Sequence, residues 1–403
     1  MKRKSACLMI SAGSLLAVSF ILNWLPFNLW HKTITPPAYE RKFEKCTTII
    51  VGKDISSDGS VLLAHNEDLG DNAAQHYIVE PRKQYAAGTT MTTYFGAEIP
   101  QVEETFAYTA TTVFEESYVP GSITSGINEN QVAVVNNLAY QRDAESPEPS
   151  RGRIMWSEYT QLALERAQSA REAVQIIGNL AYTYKNYGPG SIFGVTDTDE
   201  GWWIEITQEG QWVAQKVKDD EASMRANAYA IGVVDFNDTD SFLYSEDLVD
   251  YAVYRGWYSQ GEFNFTEVYA SSDSISDTSN THRQMRVNDL LTTFTPSVTP
   301  ANLMSILRDH YEGTTWDSTE NYTRRSPHHT SEYTVCNLDT EVSLVCQSRS
   351  WLPAEIGGVC WRAMSAPCAS AYTPWYMGMQ EVPTEYQRGI QRSTSNSAYW
   401  QFR

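Results

Sequence analysis

The chain has 403 residues, 42% hydrophobic and 12% aromatic, which is enough for one large buried core or two smaller ones. Against 30 Lys and Arg stand 49 Asp and Glu, a formal charge of −19 at pH 7. That balance argues against nucleic acid and anionic membrane surfaces as partners and fits a solvated acidic exterior, or a salty or extracytoplasmic setting.

The chain opens with Lys2-Arg3-Lys4 and then carries no charge from Ser5 through Trp30, with an apolar centre at Leu15 to Leu22. This is the pattern of a membrane-translocation signal, so residues 1–30 read as a signal peptide or a membrane anchor. Leu25 to Trp30 offers no small-x-small cleavage site, and about 20 apolar residues can span a bilayer, so cleavage and anchoring both stay open. Residues 31–45, with Pro36-Pro37 and mixed charge, read as a linker or propeptide. The expected localisation is periplasmic, secreted or membrane-anchored.

Cys46 opens a β-rich run, Thr47 to Val51, followed by the turn signal Ser56-Ser57-Asp58-Gly59-Ser60 and a second apolar run from Val61 to Ala64. This predicts a β-hairpin whose far end, His65-Asn66-Glu67-Asp68, returns toward the thiol. A thiol attacks carbonyls as thiolate and needs a base or cation beside it. A cut before Cys46 would free an α-amine of pKa about 7.7–8.0, close to that of a thiol at about 8.5. A buried or disulfide-bonded cysteine at a strand start is the bland alternative.

Further along, residues 107–119 predict a strand, Gly126 to Gln131 a turn, and Val132 to Val135 a second strand ending in Asn136-Asn137. Residues 154–179 turn helical, and Ser169-Ala170-Arg171-Glu172 is a capping box that starts a second helix. After Gly188-Pro189-Gly190 come three short strands, Ser191 to Thr196, Trp202 to Thr207 and Trp212 to Lys216. Strands on both sides of a helical pair indicate an α+β layering of sheets covered by helices. Asn227 precedes another apolar run, Ser245 to Tyr258 is helical, His282 opens a helix to Leu291, and Thr299-Pro300 caps another to about His310. Arg283 and Arg286, three apart on one helix, read first as solvated surface. His328-His329 lacks helix-spaced partners and reads as a loop pair. Four cysteines, Cys336, Cys346, Cys360 and Cys368, cluster near the carboxyl end and can pair in an oxidising compartment. A zinc site built from the four is the rival reading, and the spacings lack a Cys-x-x-Cys. With Cys7 in the leader, Cys46 is the thiol left over.

Cys46-Thr47-Thr48, Asp58-Gly59-Ser60 and His65-Asn66-Glu67-Asp68, together with Ser350-Trp351-Leu352-Pro353-Ala354-Glu355-Ile356-Gly357-Gly358 near the carboxyl end, resemble the dipeptidase A/secernin family of N-terminal-nucleophile cysteine hydrolases. The resemblance spans roughly Cys46 to Tyr386. It implies an N-terminal-nucleophile αββα four-layer sandwich over residues 46–387, a polar tail over 388–403, and hydrolysis of dipeptides. Related penicillin V acylases and bile-salt hydrolases have Arg where this chain has His65, a departure that makes the charge there depend on pH. The resemblance further implies Cys46 as nucleophile with Asp68 orienting it, and Asn137 and Asn227 as oxyanion donors, with either Asn136 or Asn137 able to fill the first of these places. It puts one guanidinium of the Arg pair near the nucleophile, Arg286 as first candidate and Arg283 as second. His65, Asn66, Asn136 and Arg283 complete the expected substrate-binding set. No metal or organic cofactor is required, the partners are dipeptide substrates, and a homo-oligomer is left open. The alternatives are an acyl-amide or penicillin V acylase-like amidohydrolase and a non-enzymatic, secernin-like interaction protein.

Overall fold

Strands β1 (Thr47–Val51) and β2 (Val61–Asp68) form the expected hairpin, with Thr47 opposite Asn66 and Thr48 opposite His65. Gly59, at φ +83°, supplies the left-handed turn residue, and Asp58 Oδ1 accepts from the Ser60 amide at 3.2 Å and the Ser60 hydroxyl at 2.6 Å. The structure, a computed structural model, describes residues 45–69, 75–113, 121–142, 152–317, 327–328 and 332–387. The expected leader, all of the linker but its last residue, and the polar tail lie outside these described residues.

In chain order there follow β3 (Gln75–Glu80), the short β4 (Lys83–Gln84), β5 (Thr90–Thr92), β6 (Glu98–Pro100) and β7 (Glu104–Thr105), then β8 (Tyr108–Val113), β9 (Ile123–Asn128) and β10 (Ala133–Leu138). Helices α1 (Trp156–Arg166) and α2 (Ala170–Tyr184) lead into β11 (Ser191–Thr196), β12 (Gly201–Ile206), β13 (Trp212–Val217), β14 (Ala222–Arg225) and β15 (Phe242–Tyr244). After several short helices come α3 (Thr278–Phe294) and α4 (Pro300–Ile306), and finally β16 (Thr340–Ser348), β17 (Val359–Met364) and β18 (Thr373–Tyr376). Among the described residues two large antiparallel sheets result, one of six strands ordered β14-β1-β2-β16-β17-β18 and one of eight ordered β15-β13-β12-β11-β10-β9-β8-β3, beside the two-stranded pairs β4-β7 and β5-β6.

The two-residue period of the strands sorts these side chains into layers. Ile50 and Leu63 face Ala133, Val135, Ile192 and Trp203 across the gap between the sheets. Their neighbours Ile49, Leu62 and Ala64 point the other way, onto Val287 and Leu291 of α3 and Leu303 and Ile306 of α4. On the far side, Val134 and Leu138 of β10 pack beneath Tyr159, Leu162 and Ile177 of α1 and α2. The layering is therefore helix, sheet, sheet, helix, the α+β sandwich expected from the sequence. Gly194 of β11 lets the sheets close over the hairpin: a Cβ there would lie 3.1 Å from Thr48 Cγ2.

Several expected boundaries move. The turn after β9 begins only at Glu129, because Asn128 stays in the strand and its Oδ1 accepts from the amides of Asn130 and Val132, both at 3.0 Å. Helix α3 begins at Thr278, where the Asp277 side chain accepts from Ser279 N. Among the four carboxyl-terminal cysteines, Cys346 and Cys360 lie opposite each other on β16 and β17 and form a disulfide, while Cys336 and Cys368 are free thiols.

Candidate active site

Cys46 stands immediately before β1, buried, and its thiol shares the inter-sheet face with His65 and Glu67 of β2. Cys46 Sγ lies 3.8 Å from Glu67 Oε1, and Glu67 Oε2 lies 3.0 Å from His65 Nε2. On the other side of the ring, His65 Nδ1 is 2.7 Å from Thr48 Oγ1, which is 2.5 Å from Asn137 Oδ1 on the opposite sheet.

The polarity of this chain follows from its far end. Asn137 Nδ2 donates to the carbonyls of Arg225 at 3.0 Å and Ala226 at 2.8 Å, so Oδ1 is the atom facing Thr48. The single Thr48 hydroxyl hydrogen goes to that oxygen, so His65 Nδ1 must donate to Thr48. A second hydrogen must then lie between His65 Nε2 and Glu67 Oε2. The Glu67 oxygen that remains faces the thiol. The arrangement is a directed row of hydrogen bonds with a carboxylate oxygen at the nucleophile.

The opposite face of the hairpin is held by α3. Arg283, fully buried, bonds through Nη1 to the Cys46 carbonyl and, at 3.2 Å, to Thr47 Oγ1. Its Nη2 reaches Asn227 Oδ1 at 3.1 Å and Asn280 Oδ1 at 2.9 Å. Asn227 Nδ2 donates to Leu138 O at 2.9 Å, and among the described residues no second acceptor takes its other hydrogen. The loop carrying Asn227 is fixed by Glu205, which accepts from Ala230 N at 2.9 Å and pairs with Arg225 at 3.4 Å. Burial pushes the Glu205 carboxyl up and the Arg225 guanidinium down, and each charge counters the shift of the other. Lys45, on the other side of the bond that would be cut, reaches Ser279 Oγ at 2.7 Å and Asp277 Oδ2 at 3.4 Å, with its ammonium 4.8 Å from the centre of the Tyr333 ring. Burial is the largest influence on Lys45 and holds it below the ordinary lysine range despite Asp277.

Several expected roles change. Arg286 is not at the nucleophile: it pairs with Asp309 at 2.6 Å, and Arg283 takes the place beside Cys46. Asn137 gives both amide hydrogens to backbone carbonyls, so it positions Thr48 and the 225–226 backbone and has none left for an oxyanion. Asn136, one residue away on β10, points to the opposite face with Val134 and Leu138, and its buried Oδ1 has no hydrogen-bond partner among the described residues. Asn66 likewise faces the helices, where Nδ2 donates to Leu307 O at 2.9 Å and Val335 O at 2.8 Å and Oδ1 accepts from Ser343 at 2.5 Å. With every amide group engaged, it is a structural tie rather than a substrate contact. Asp68 sits on that same helix-facing side and accepts from Thr340 at 2.6 Å, Asn337 at 2.7 Å and Tyr333 at 3.4 Å. Burial pushes its carboxyl well above the usual range, against the pull of the Thr340 and Asn337 bonds. It anchors the 333–340 loop, and Tyr333 links that loop to Lys45 and Arg283, whose guanidinium carbon lies 5.5 Å from the ring centre.

Sequence reasoning brought Glu67 toward the thiol as part of the motif but gave it no role, and it gave none to Thr48, Asn280 or Tyr333. Glu67 had a signal: it shares strand parity with His65, so a hairpin that aims His65 at the thiol aims Glu67 there too. Tyr333 had none.

The model of a family described as Peptidase family C69 matches residues 45–403. A probable dipeptidase of Latilactobacillus sakei is 27% identical over 384 residues, 88% of this chain and 79% of that protein. A probable dipeptidase of Salmonella dublin is 28% identical over 379 residues, 87% of this chain and 85% of that protein. Among solved structures, a mutant conjugated bile acid hydrolase from Clostridium perfringens is 12% identical, covers 83% of this chain and 92% of its own, and superposes with a TM-score of 0.37. Penicillin V acylase from Agrobacterium tumefaciens gives 13% identity, 79% and 86% coverage, and a TM-score of 0.34.

Proposed function

Because the chain belongs to peptidase family C69, we propose that it is a cysteine-type dipeptidase whose nucleophile, Cys46, becomes the first residue of the mature enzyme. The observation that carries this reading is the Cys46 thiol 3.8 Å from Glu67 Oε1, with its own carbonyl held by Arg283. The family match begins at residue 45, beside that cysteine, and the relatives named probable dipeptidase supply the substrate class.

In the uncut chain the Cys46 nitrogen is an amide and has no basic lone pair, so Glu67 is the base within reach of the thiol. The thiolate attacks the Lys45 carbonyl, the C–N bond breaks with the proton passing to nitrogen, and water hydrolyses the resulting thioester. Lys45, on the other side of that bond, is tied through its ammonium to Asp277 and Ser279. Once freed, the α-amine takes the thiol proton at each turnover. The thiolate adds to the dipeptide carbonyl, and the tetrahedral oxyanion receives the remaining Asn227 N–H. Collapse expels the carboxyl-terminal amino acid, which leaves with the proton from the α-ammonium. Water then cleaves the acyl-thioester, returning thiol and free amino acid.

The extracytoplasmic setting belongs to the same proposal, supported by the basic-then-apolar residues 1–30 and by the Cys346–Cys360 disulfide. Removal of residues 1–45 would then proceed by leader cleavage followed by self-cleavage, or by self-cleavage alone.

The test is the intact mass and first residue of purified wild type and Cys46→Ala, together with hydrolysis of a dipeptide panel. A wild type beginning at Cys46 with activity, beside an inactive Cys46→Ala that retains Lys45, is the expected outcome. An active enzyme that still carries Lys45 overturns the amine mechanism, and a mature but dipeptide-inert enzyme overturns the substrate class.

A further inference from the structure

Away from Cys46, three segments distant in sequence bring two imidazoles and two thiols to one point. His310 Nε2 and His328 Nε2 are 3.1 Å apart; Cys368 Sγ and Cys336 Sγ lie 3.4 Å and 3.6 Å from His328 Nε2. All four donor atoms fall within 4.8 Å of one another. A tetrahedral zinc ion with bonds of about 2.0–2.1 Å to nitrogen and about 2.3 Å to sulfur has N–N edges of about 3.3–3.4 Å and N–S edges of about 3.5 Å. The three edges that meet at His328 Nε2 match such a tetrahedron to within a few tenths of an ångström.

The surroundings fit a ligand set as well. His310 Nδ1 faces Glu312 Oε1 at 2.9 Å, and the other Glu312 oxygen accepts from His310 N at 2.7 Å. A hydrogen on Nδ1 leaves the Nε2 lone pair pointing into the cluster, which is how a carboxylate orients a metal-bound histidine. His328 Nε2 meets a nitrogen and two sulfurs at once, and a single N–H cannot serve all three. A cation at their centre can.

We propose that His310, His328, Cys336 and Cys368 form a closed, four-coordinate structural site for a thiophilic divalent cation, zinc by its donor set. Four protein ligands leave no open position for water, so the ion's role is to cross-link. It ties the turn after α4 to the Pro367–Ala369 turn after β17, and both to the loop in which Asn337 and Thr340 hold Asp68. The residues are disjoint from Cys46, His65 and Glu67, so the proposal is independent of the dipeptidase reading.

The test is elemental analysis of the full-length protein purified without chelator, as wild type, Cys46→Ala and Cys368→Ser. Stoichiometric zinc in wild type and in Cys46→Ala, lost in Cys368→Ser, supports the site; retention in Cys46→Ala excludes the Cys46–His65–Glu67 group as its holder. Since Cys368→Ser could misfold, a second measurement uses chelator-stripped Cys46→Ala titrated with Co²⁺. The visible bands of a tetrahedral cobalt ion with thiolate charge transfer, displaced by zinc, are expected. Zinc-free wild type with no tetrahedral cobalt spectrum, or a Cys336–Cys368 disulfide in the freshly purified protein by peptide mapping, overturns it.

Discussion

The two thiol clusters of this protein are built from nearly the same side-chain types and are organised in opposite ways. Around Cys46, hydrogen-bond donors and acceptors alternate, from the thiol through Glu67, His65 and Thr48 to Asn137, on strands of two facing sheets. Around His310, four donor atoms converge from loops and turns, His328 Nε2 lying close to each of the other three. The first arrangement can pass a proton; the second calls for a positive ion. Which chemistry a cysteine supports is decided by the direction of the hydrogens around it more than by its neighbours' names.

The largest effect expected within this contrast is Cys46→Ala, which should lower kcat for dipeptides by at least about 10⁴-fold while leaving metal content unchanged. Parallel assay of both quantities checks it, and a joint loss would merge the two clusters into one cooperative unit. Next comes Arg283→Ala. It removes the guanidinium bonds to the Cys46 carbonyl and to the Asn227 and Asn280 oxygens in a buried site and should cost about 3 kcal/mol or more of unfolding free energy. Arg286→Ala removes a partly exposed pair and should cost about 1–2 kcal/mol, and urea denaturation of both variants ranks them. Glu67→Gln keeps the shape but not the charge of the group at the thiol. It should slow self-cleavage about 10²-fold, followed by mass spectrometry over time, and an unchanged rate would mean the row of hydrogen bonds passes no proton.

The smallest effect lies in the bridge between the clusters. The folded protein raises the pKa of Asp68, so it holds that proton more tightly than the unfolded chain. The associated stability is present at and below the ordinary carboxylate range and is lost as pH rises toward the raised value, by at most about 1.4 kcal/mol per pH unit. Asp68→Asn should flatten the decline of Tm above about pH 4. A slope equal to wild type would assign the dependence to another group.

How much of this was legible in the sequence depended on the range of the signal. The hairpin from Cys46 to Asp68 was readable because turn chemistry and alternation are local. Its register then sends His65 and Glu67 one way and Asn66 and Asp68 the other, a distinction that a motif quoted as a string does not carry. Arg283 and Arg286 share a helix, and only the tertiary placement of α3 buries one against Cys46 and leaves the other to Asp309. The second cluster left no trace in spacing: His310 and Cys368 are 58 positions apart, and only the packing of the turns after α4 and β17 joins them.

The Thr48 hydroxyl carries a mechanical consequence. It touches His65 within its own sheet and Asn137 on the facing one, and so acts as a dowel against sliding of one sheet over the other. Shear of about an ångström would break the contact and turn the imbalance into a misaimed imidazole, and a misplacement of that size can cost about 10²-fold in rate. Substitutions far away in the inter-sheet core that shift this registration should therefore appear as slow enzymes with normal melting curves.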